Sequence, residues 1–405
     1  MASMLELVHD GSVTSPRGYL AGATYAGLKT LEEDALDLGI LVSQEPAALA
    51  ATFTTNRIES PSVTLSRQRA SKSVAKGVVA NSGCANCCVG SQGLADAKEL
   101  AFLAANHVGI GPEEMLVCST GMIGVELPMA LLRQNVGNVN VTADGGHMFA
   151  RAIMTTDTRP KDMAVSLEMD GRRITIGGTA KGVGMVHPNM ATMLAFITTD
   201  AAVEPGFLAT ALRQAVGVSF NMIDVDGDQS TNDTVLLFAN GAAGGPTVEV
   251  GSDSGDAFQD ALTYVCTGLA KELTRDGEGA QHLVEVVVDG ARTEADARVA
   301  AREIASSSLV KAMVHGLDPN WGRIMMALGK SGVEVDESKI DIFVSDIHIV
   351  HGGIAIPYFR DAVVSAMNVP EVGFRISLNL GEGSATAWGC DLTEEYVTFN
   401  SAYST

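Results

Sequence analysis

The chain has 405 residues, 46% of them hydrophobic and 19% charged, a soluble globular balance with length enough for two domains or one large one. Its 48 acidic against 27 basic residues give a formal net charge of −21. That charge repels phosphate backbones and anionic lipid, so no nucleic acid and no membrane surface is expected as a partner. The opening MASMLELVHDGSVTSPRG has no charged start followed by an apolar core, and no run of ~18 apolar residues follows it, so a cytoplasmic protein is expected.

Along the chain, strand-like and helical segments are mixed. Apolar runs at Leu38 to Ser43 and Lys76 to Gly83 read as strands. A helix near Ala95 to Val108 ends at Gly109, a suitable C-terminal cap. The six cysteines are too few for a disulfide framework in a chain of this length. Cys84-x-x-Cys87, followed by Cys88, lacks the second ligand pair a zinc site needs, so small buried residues beside a strand end are expected and no metal. Met193 to Ile197 reads as a core strand. The acidic stretch Asp224 to Val235 has its glycine at the fourth place and Val235 at the twelfth, which spoils a calcium loop and leaves a turn. In Asp256 to Thr274, Phe258, Leu262, Val265, Leu269 and Leu273 share one helical face. Leu283 to Gly290 follows as a strand, and Thr293 caps the next helix with Glu294 and Asp296 in its first turn. GRIMMALGKS (Gly322 to Ser331) has six residues between its glycines where a phosphate-binding loop has four, and is read as a strand and turn. Gly373 to Leu380 alternates Phe374, Ile376, Leu378 and Leu380 with polar neighbours, as a half-buried strand does. Without regular strand–helix–strand alternation, the class is α+β, with layered sheets and helices.

No Gly-x-Ser-x-Gly and no His-Glu-x-x-His occurs, which removes the usual serine-hydrolase and zinc-hydrolase signatures. What remains is the seam in KGVGMVHPNMATMLAFITTD (Lys181 to Asp200). Gly182, Gly184 and the Pro188-Asn189 turn hand over to an apolar strand at Ala191-Thr192. A loop of that kind can hold the Ala191 carbonyl against the Thr192 hydroxyl. Attack there converts the amide to an ester that water cleaves. The freed α-amine of Thr192, with an ordinary pKa of about 7.7–8.0, can then serve as base for its own hydroxyl.

This stretch resembles the self-cleavage region of the ornithine acetyltransferase family, the glutamate N-acetyltransferases of arginine biosynthesis. Further resemblances are FTTNR (Phe53 to Arg57), NSGCANCCVG (Asn81 to Gly90), VCSTGMIG (Val117 to Gly124) and AIMTTD (Ala152 to Asp157). STNDTV (Ser230 to Val235), DGEGA (Asp276 to Ala280), DPNWGR (Asp318 to Arg323) and NSAYST (Asn400 to Thr405) complete the series. The resemblance implies an α/β (α+β) layered sandwich, ornithine acetyltransferase/DmpA-like, with N-terminal-nucleophile-like placement of a catalytic threonine at a strand start. It implies self-cleavage into an α chain (1–191), with the oxyanion hole and part of the substrate site, and a β chain (192–405), associated as α2β2. Thr192 is then the nucleophile, and Thr120 and Gly121 form the oxyanion hole. Thr155, Lys181, Thr192, Glu278, Asn400 and Thr405 bind substrate. The implied reaction moves acetyl from N-acetylornithine to glutamate with no cofactor, and some members also take acetyl-CoA as donor. Two other readings stand beside it: an N-terminal-nucleophile aminopeptidase or amidase of related fold, and a binding protein that never matures. Cys84, Cys87, Gln281-His282 and His315 depart from the family's pattern. By residue type alone, Lys181 and Glu278 would be solvated surface charges.

Overall fold

The computed structural model describes residues 5–29, 35–187 and 193–402. Ala191 and Thr192, the Pro188-Asn189 turn and Thr405 lie outside them. Two mixed sheets carry the described fold. The first holds β1 (Glu6–Leu7), β2 (Tyr19–Thr24), β3 (Leu38–Phe53), β4 (Val74–Asn81), β5 (Met115–Ser119), β6 (Lys161–Met169), β7 (Arg172–Lys181), β8 (Leu194–Thr199) and β10 (Thr234–Ala239). The second holds β9 (Ile223–Asp224), β11 (Leu283–Ala291), β12 (Asp341–Val344), β13 (Ile347–His351), β14 (Ile354–Ala355), β15 (Glu371–Ser377) and β16 (Gly383–Cys390).

The first sheet runs β1-β6-β7-β8-β10-β3-β4-β5, with β2 joined to the first half of β3. Its middle is built from two distant parts of the sequence. β8 pairs antiparallel with β7 and parallel with β10, and β10 pairs antiparallel with the second half of β3. All six residues of β8 are buried, as expected of a strand covered on both faces. The second sheet runs β14-β13-β12-β15-β11-β16-β9.

Helix Asp253–Arg275 packs on β6 and β7 of the first sheet and also touches β11 and β16 of the second. Its stripe of Phe258, Leu262, Val265, Leu269 and Leu273 is fully buried in a core shared by both sheets. At about 1.5–3 kcal/mol per buried side chain, that stripe is what holds the layers together. Helix Glu294–Ala305 covers β11 and β16, and its Thr293 cap accepts the Asp296 N–H. Gly109 ends helix Gln92–Val108 at φ 74°, a left-handed cap suited to glycine.

One expectation fails. Gly322 to Ser331 is not a strand and turn but helix Gly322–Lys330. Ile324, Ala327 and Leu328, three and four residues apart, are the residues it buries, and the segment has no β-branched run to favour a strand. The strand expected to reach Leu380 stops at Ser377 because Asn379 turns to φ 54°. Cys84 and Cys87 are buried free thiols just past β4, and Cys88 is exposed.

Candidate active site

One cleft gathers the expected site residues from five separate places in the sequence. Thr120 and Gly121 follow β5, and Thr155 lies in the turn before β6. Lys181 is the last residue of β7, Glu278 follows helix Asp253–Arg275, and Asn400 comes from the terminal helix Glu394–Ala402. The structure thus brings together the six expected site residues that it describes.

Lys181 is 2% exposed, so it is no solvated surface charge. Its Nζ donates to Thr155 Oγ1 at 2.8 Å and to Thr120 Oγ1 at 3.3 Å. Burial pushes the ammonium below its usual value, opposed first by the Asp157 carboxylate. Asp157, also buried, accepts from Lys161 at 2.6 Å and from the Gly182 N–H at 3.0 Å. Burial alone would raise it, but Lys181 and Lys161 hold it below the ordinary carboxylate range. Lys161 reaches Asp276 as well, at 2.6 Å. Beneath the cleft, then, two buried lysines and two aspartates balance one another, and Lys181 alone of the four lines it.

Thr120, 5% exposed, accepts from Lys181, which leaves its own hydroxyl hydrogen free to point elsewhere. The Gly121 N–H makes no hydrogen bond among the described residues. Gly121 sits at φ 125°, and a Cβ there would collide with the Gly83 carbonyl, so only glycine fits. The bridge between Cys84 and Thr120 and the Met122 N–H bond to the Gly83 carbonyl at 3.1 Å fix this turn. A hydroxyl and an amide donor side by side can stabilise negative charge growing on an oxygen between them.

Across the cleft Glu278 is half-buried. Thr156 donates to its Oε1 at 2.7 Å and Asn400 to its Oε2 at 2.8 Å. Its own N–H bonds the Val183 carbonyl at 2.9 Å. Gly184 lies against it so closely that a Cβ there would strike the carboxylate. The cleft therefore offers a cation on one side and an anion on the other, the charge pair an α-amino acid presents in reverse.

Several residues of the site escaped the sequence reading. Asp157 and Lys161 are spaced i, i+4 within TTDTRPK, and Asp276 opens DGEGA, but nothing local announces that they are buried. Asp233 is another: fully buried, it accepts the Met193 N–H at 2.9 Å on Oδ1. Burial raises its carboxyl well above the usual range. The departures fall outside the cleft. The Gln281 and His282 N–H groups both bond Asp391 Oδ1 at 2.8 Å, and the His282 ring bonds its Oδ2 at 3.0 Å. His315 bonds Glu394 at 3.0 Å.

Layered mixed sheets with helices between them, and a cleft combining neutral donors with buried charge, define an α/β protein with an enzyme-like site. The ArgJ family matches over residues 20–405. An arginine biosynthesis bifunctional protein ArgJ from Symbiobacterium thermophilum is 49% identical, covering 98% of this chain and 99% of its own. A protein of the same name from Dehalococcoides mccartyi is 46% identical over the whole of both chains. The crystal structure of arginine biosynthesis bifunctional protein argJ from Bacillus halodurans is 40% identical with a TM-score of 0.51, over 51% of this chain and 98% of that one. The chain belongs to the ArgJ family of arginine biosynthesis enzymes. No helix among the described residues is long and apolar enough to cross a membrane.

Proposed function

We propose that this protein is a glutamate N-acetyltransferase that cuts itself between Ala191 and Thr192 and then uses Thr192 to carry acetyl from N2-acetylornithine to glutamate. The observation that carries this reading is the Gly121 N–H, unpaired among the described residues, beside the Thr120 hydroxyl and set against buried Lys181 in the same cleft. The Thr192 Oγ attacks the acetyl carbonyl and its proton passes to the Thr192 α-amine. Thr120 and Gly121 donate to the oxyanion. The C–N bond then breaks, the ornithine nitrogen takes the proton, and acetyl-threonine remains. Glutamate's amine attacks that ester in the second half, and the threonine oxygen regains its proton.

Lys181 suits a substrate carboxylate and Glu278 a substrate ammonium, with Thr155, Asn400 and Thr405 completing the binding set. Asp233, bonded to the N–H of the residue after Thr192, holds the start of the strand in place. The Bacillus halodurans chain supports cleavage by its length. It matches 51% of this chain over 98% of itself, so the solved polypeptide is about half as long as this one. The relatives' name, bifunctional, supports acetyl-CoA as a second acetyl donor at the same threonine. We extend the reading to an α2β2 assembly in the cytoplasm.

Intact-mass spectrometry beside a Thr192→Ala variant tests it. Two fragments parting at Ala191-Thr192, an uncut variant, and ornithine release that needs glutamate are expected. An uncut wild-type chain would sink the threonine mechanism. Acetate release without glutamate would turn the reading to an amidase.

A further inference from the structure

We infer that Asp341, His348 and His351 form a site for a first-row divalent cation, with Zn2+ as the probe. The three lie on the β12–β13 hairpin, and their donor atoms are within 4.8 Å of one another. None of them lines the cleft.

The hairpin carries the irregularity such a site needs. Strand residues alternate faces, so His348 and His351, three apart, would normally point opposite ways. Here the register slips: Ile342 faces Val350, yet Phe343 faces His348, an extra residue in β13. The bulge brings both imidazoles to the side of the sheet that Asp341 occupies. Neighbours then fix the rings. His348 stacks on Phe343 with centroids 4.2 Å apart, and the Arg375 guanidinium lies 3.7 Å over that ring. The stack directs His348 Nε2 to 3.8 Å from Asp341 Oδ1, where the nitrogen is shut from solvent and has no hydrogen-bond partner among the described residues. A buried polar atom left so calls for a ligand.

Asp341 is held in place by its neighbours. The Gly352 N–H donates to its Oδ1 at 3.0 Å and Asn379 Nδ2 to its Oδ2 at 3.2 Å, which fixes the carboxylate on this side of the hairpin. His351 Nδ1 is 2.9 Å from Asp341 Oδ1. Donors about 2.0–2.2 Å from a tetrahedral Zn2+ stand roughly 3.3 Å apart, so small rotamer changes bring these three to that spacing. On binding, the His351 proton shifts from Nδ1 to the exposed Nε2, and Nδ1 gives its lone pair to the metal. Two imidazoles and one carboxylate suit Zn2+, Co2+ or Ni2+ over Mg2+ or Ca2+, which take oxygen ligands. His351 is exposed, which leaves the outer coordination positions to water or to a group from outside.

Equilibrium dialysis of tag-free full-length protein against Zn2+ alone tests the inference. One equivalent per chain is expected. His348→Ala and His351→Ala should each weaken it at least tenfold, and Cys88→Ser should leave it intact. Co2+ should give visible d–d absorption in the wild type and lose it in the double histidine variant. Unchanged thermal unfolding of the metal-free variants would show that the fold is kept. Failure to bind an equivalent, or an equivalent that survives the double substitution, overturns the site.

Discussion

Replacing Thr120 with alanine removes one of two proposed donors while leaving its surroundings nearly untouched. Lys181 loses an acceptor at 3.3 Å but keeps Thr155 at 2.8 Å. The stability cost should be only that of one hydrogen bond, about 1 kcal/mol. The catalytic cost is larger, because a donor aimed at a developing oxyanion contributes about 3–4 kcal/mol, a fall in kcat of about 10²–10³-fold. The variant should first be checked by intact mass, so that impaired self-cleavage is not mistaken for impaired turnover. Ornithine release from N-acetylornithine in the presence of glutamate, normalised to cut protein, then gives kcat. Thr120→Ser should recover most of the rate. A cut Thr120→Ala enzyme within threefold of wild type would refute the oxyanion assignment.

Lys181→Met should reduce transfer to background by taking the buried cation from the cleft. It should cost only about 1–3 kcal/mol in chemical denaturation, less than an orphaned buried charge, because Asp157 keeps Lys161 at 2.6 Å. Asp226 sets a pH dependence: burial raises its carboxyl to about 6, against 3.8 ordinarily. Since the folded chain holds this proton up to a higher pH than the unfolded chain does, the contribution of Asp226 to stability is greatest below pH 4. It is lost as pH rises from about 4 to 6. Urea denaturation between pH 4 and 7 should therefore show a slope that Asp226→Asn flattens, and an equal slope in both proteins would contradict it.

Much of the fold was legible because its signals are local. The apolar stripe of Asp253–Arg275 repeats at helical spacing, and Thr293 and Gly109 are residues whose own chemistry ends a helix. In Gly322–Lys330 the helical signal rests on only Ile324, Ala327 and Leu328 in nine residues, too short a stripe to outweigh the glycines at positions 322 and 329. The charged floor of the cleft could not be read locally. Lys161 and Asp276 are 115 residues apart in sequence and 2.6 Å apart in space. Lys181 and Glu278 look like surface charges by type, and only the meeting of β7 with the loop after helix Asp253–Arg275 makes them neighbours. The site residues were gathered through a family resemblance, which carries the tertiary information that composition and periodicity lack.

β8 and β10 sit between β7 and β3, so the later half of the sequence is threaded through the middle of a sheet whose other strands all come from the earlier half. A backbone cut just ahead of β8 leaves every one of those ladders in place, and the two pieces could part only by dismantling the sheet. Such a cut is a one-way ratchet. The nicked molecule persists as long as the sheet does, but once unfolded its halves must find each other by diffusion, and recovery becomes dependent on concentration. Maturation would then leave lifetime untouched and take away the capacity to refold alone.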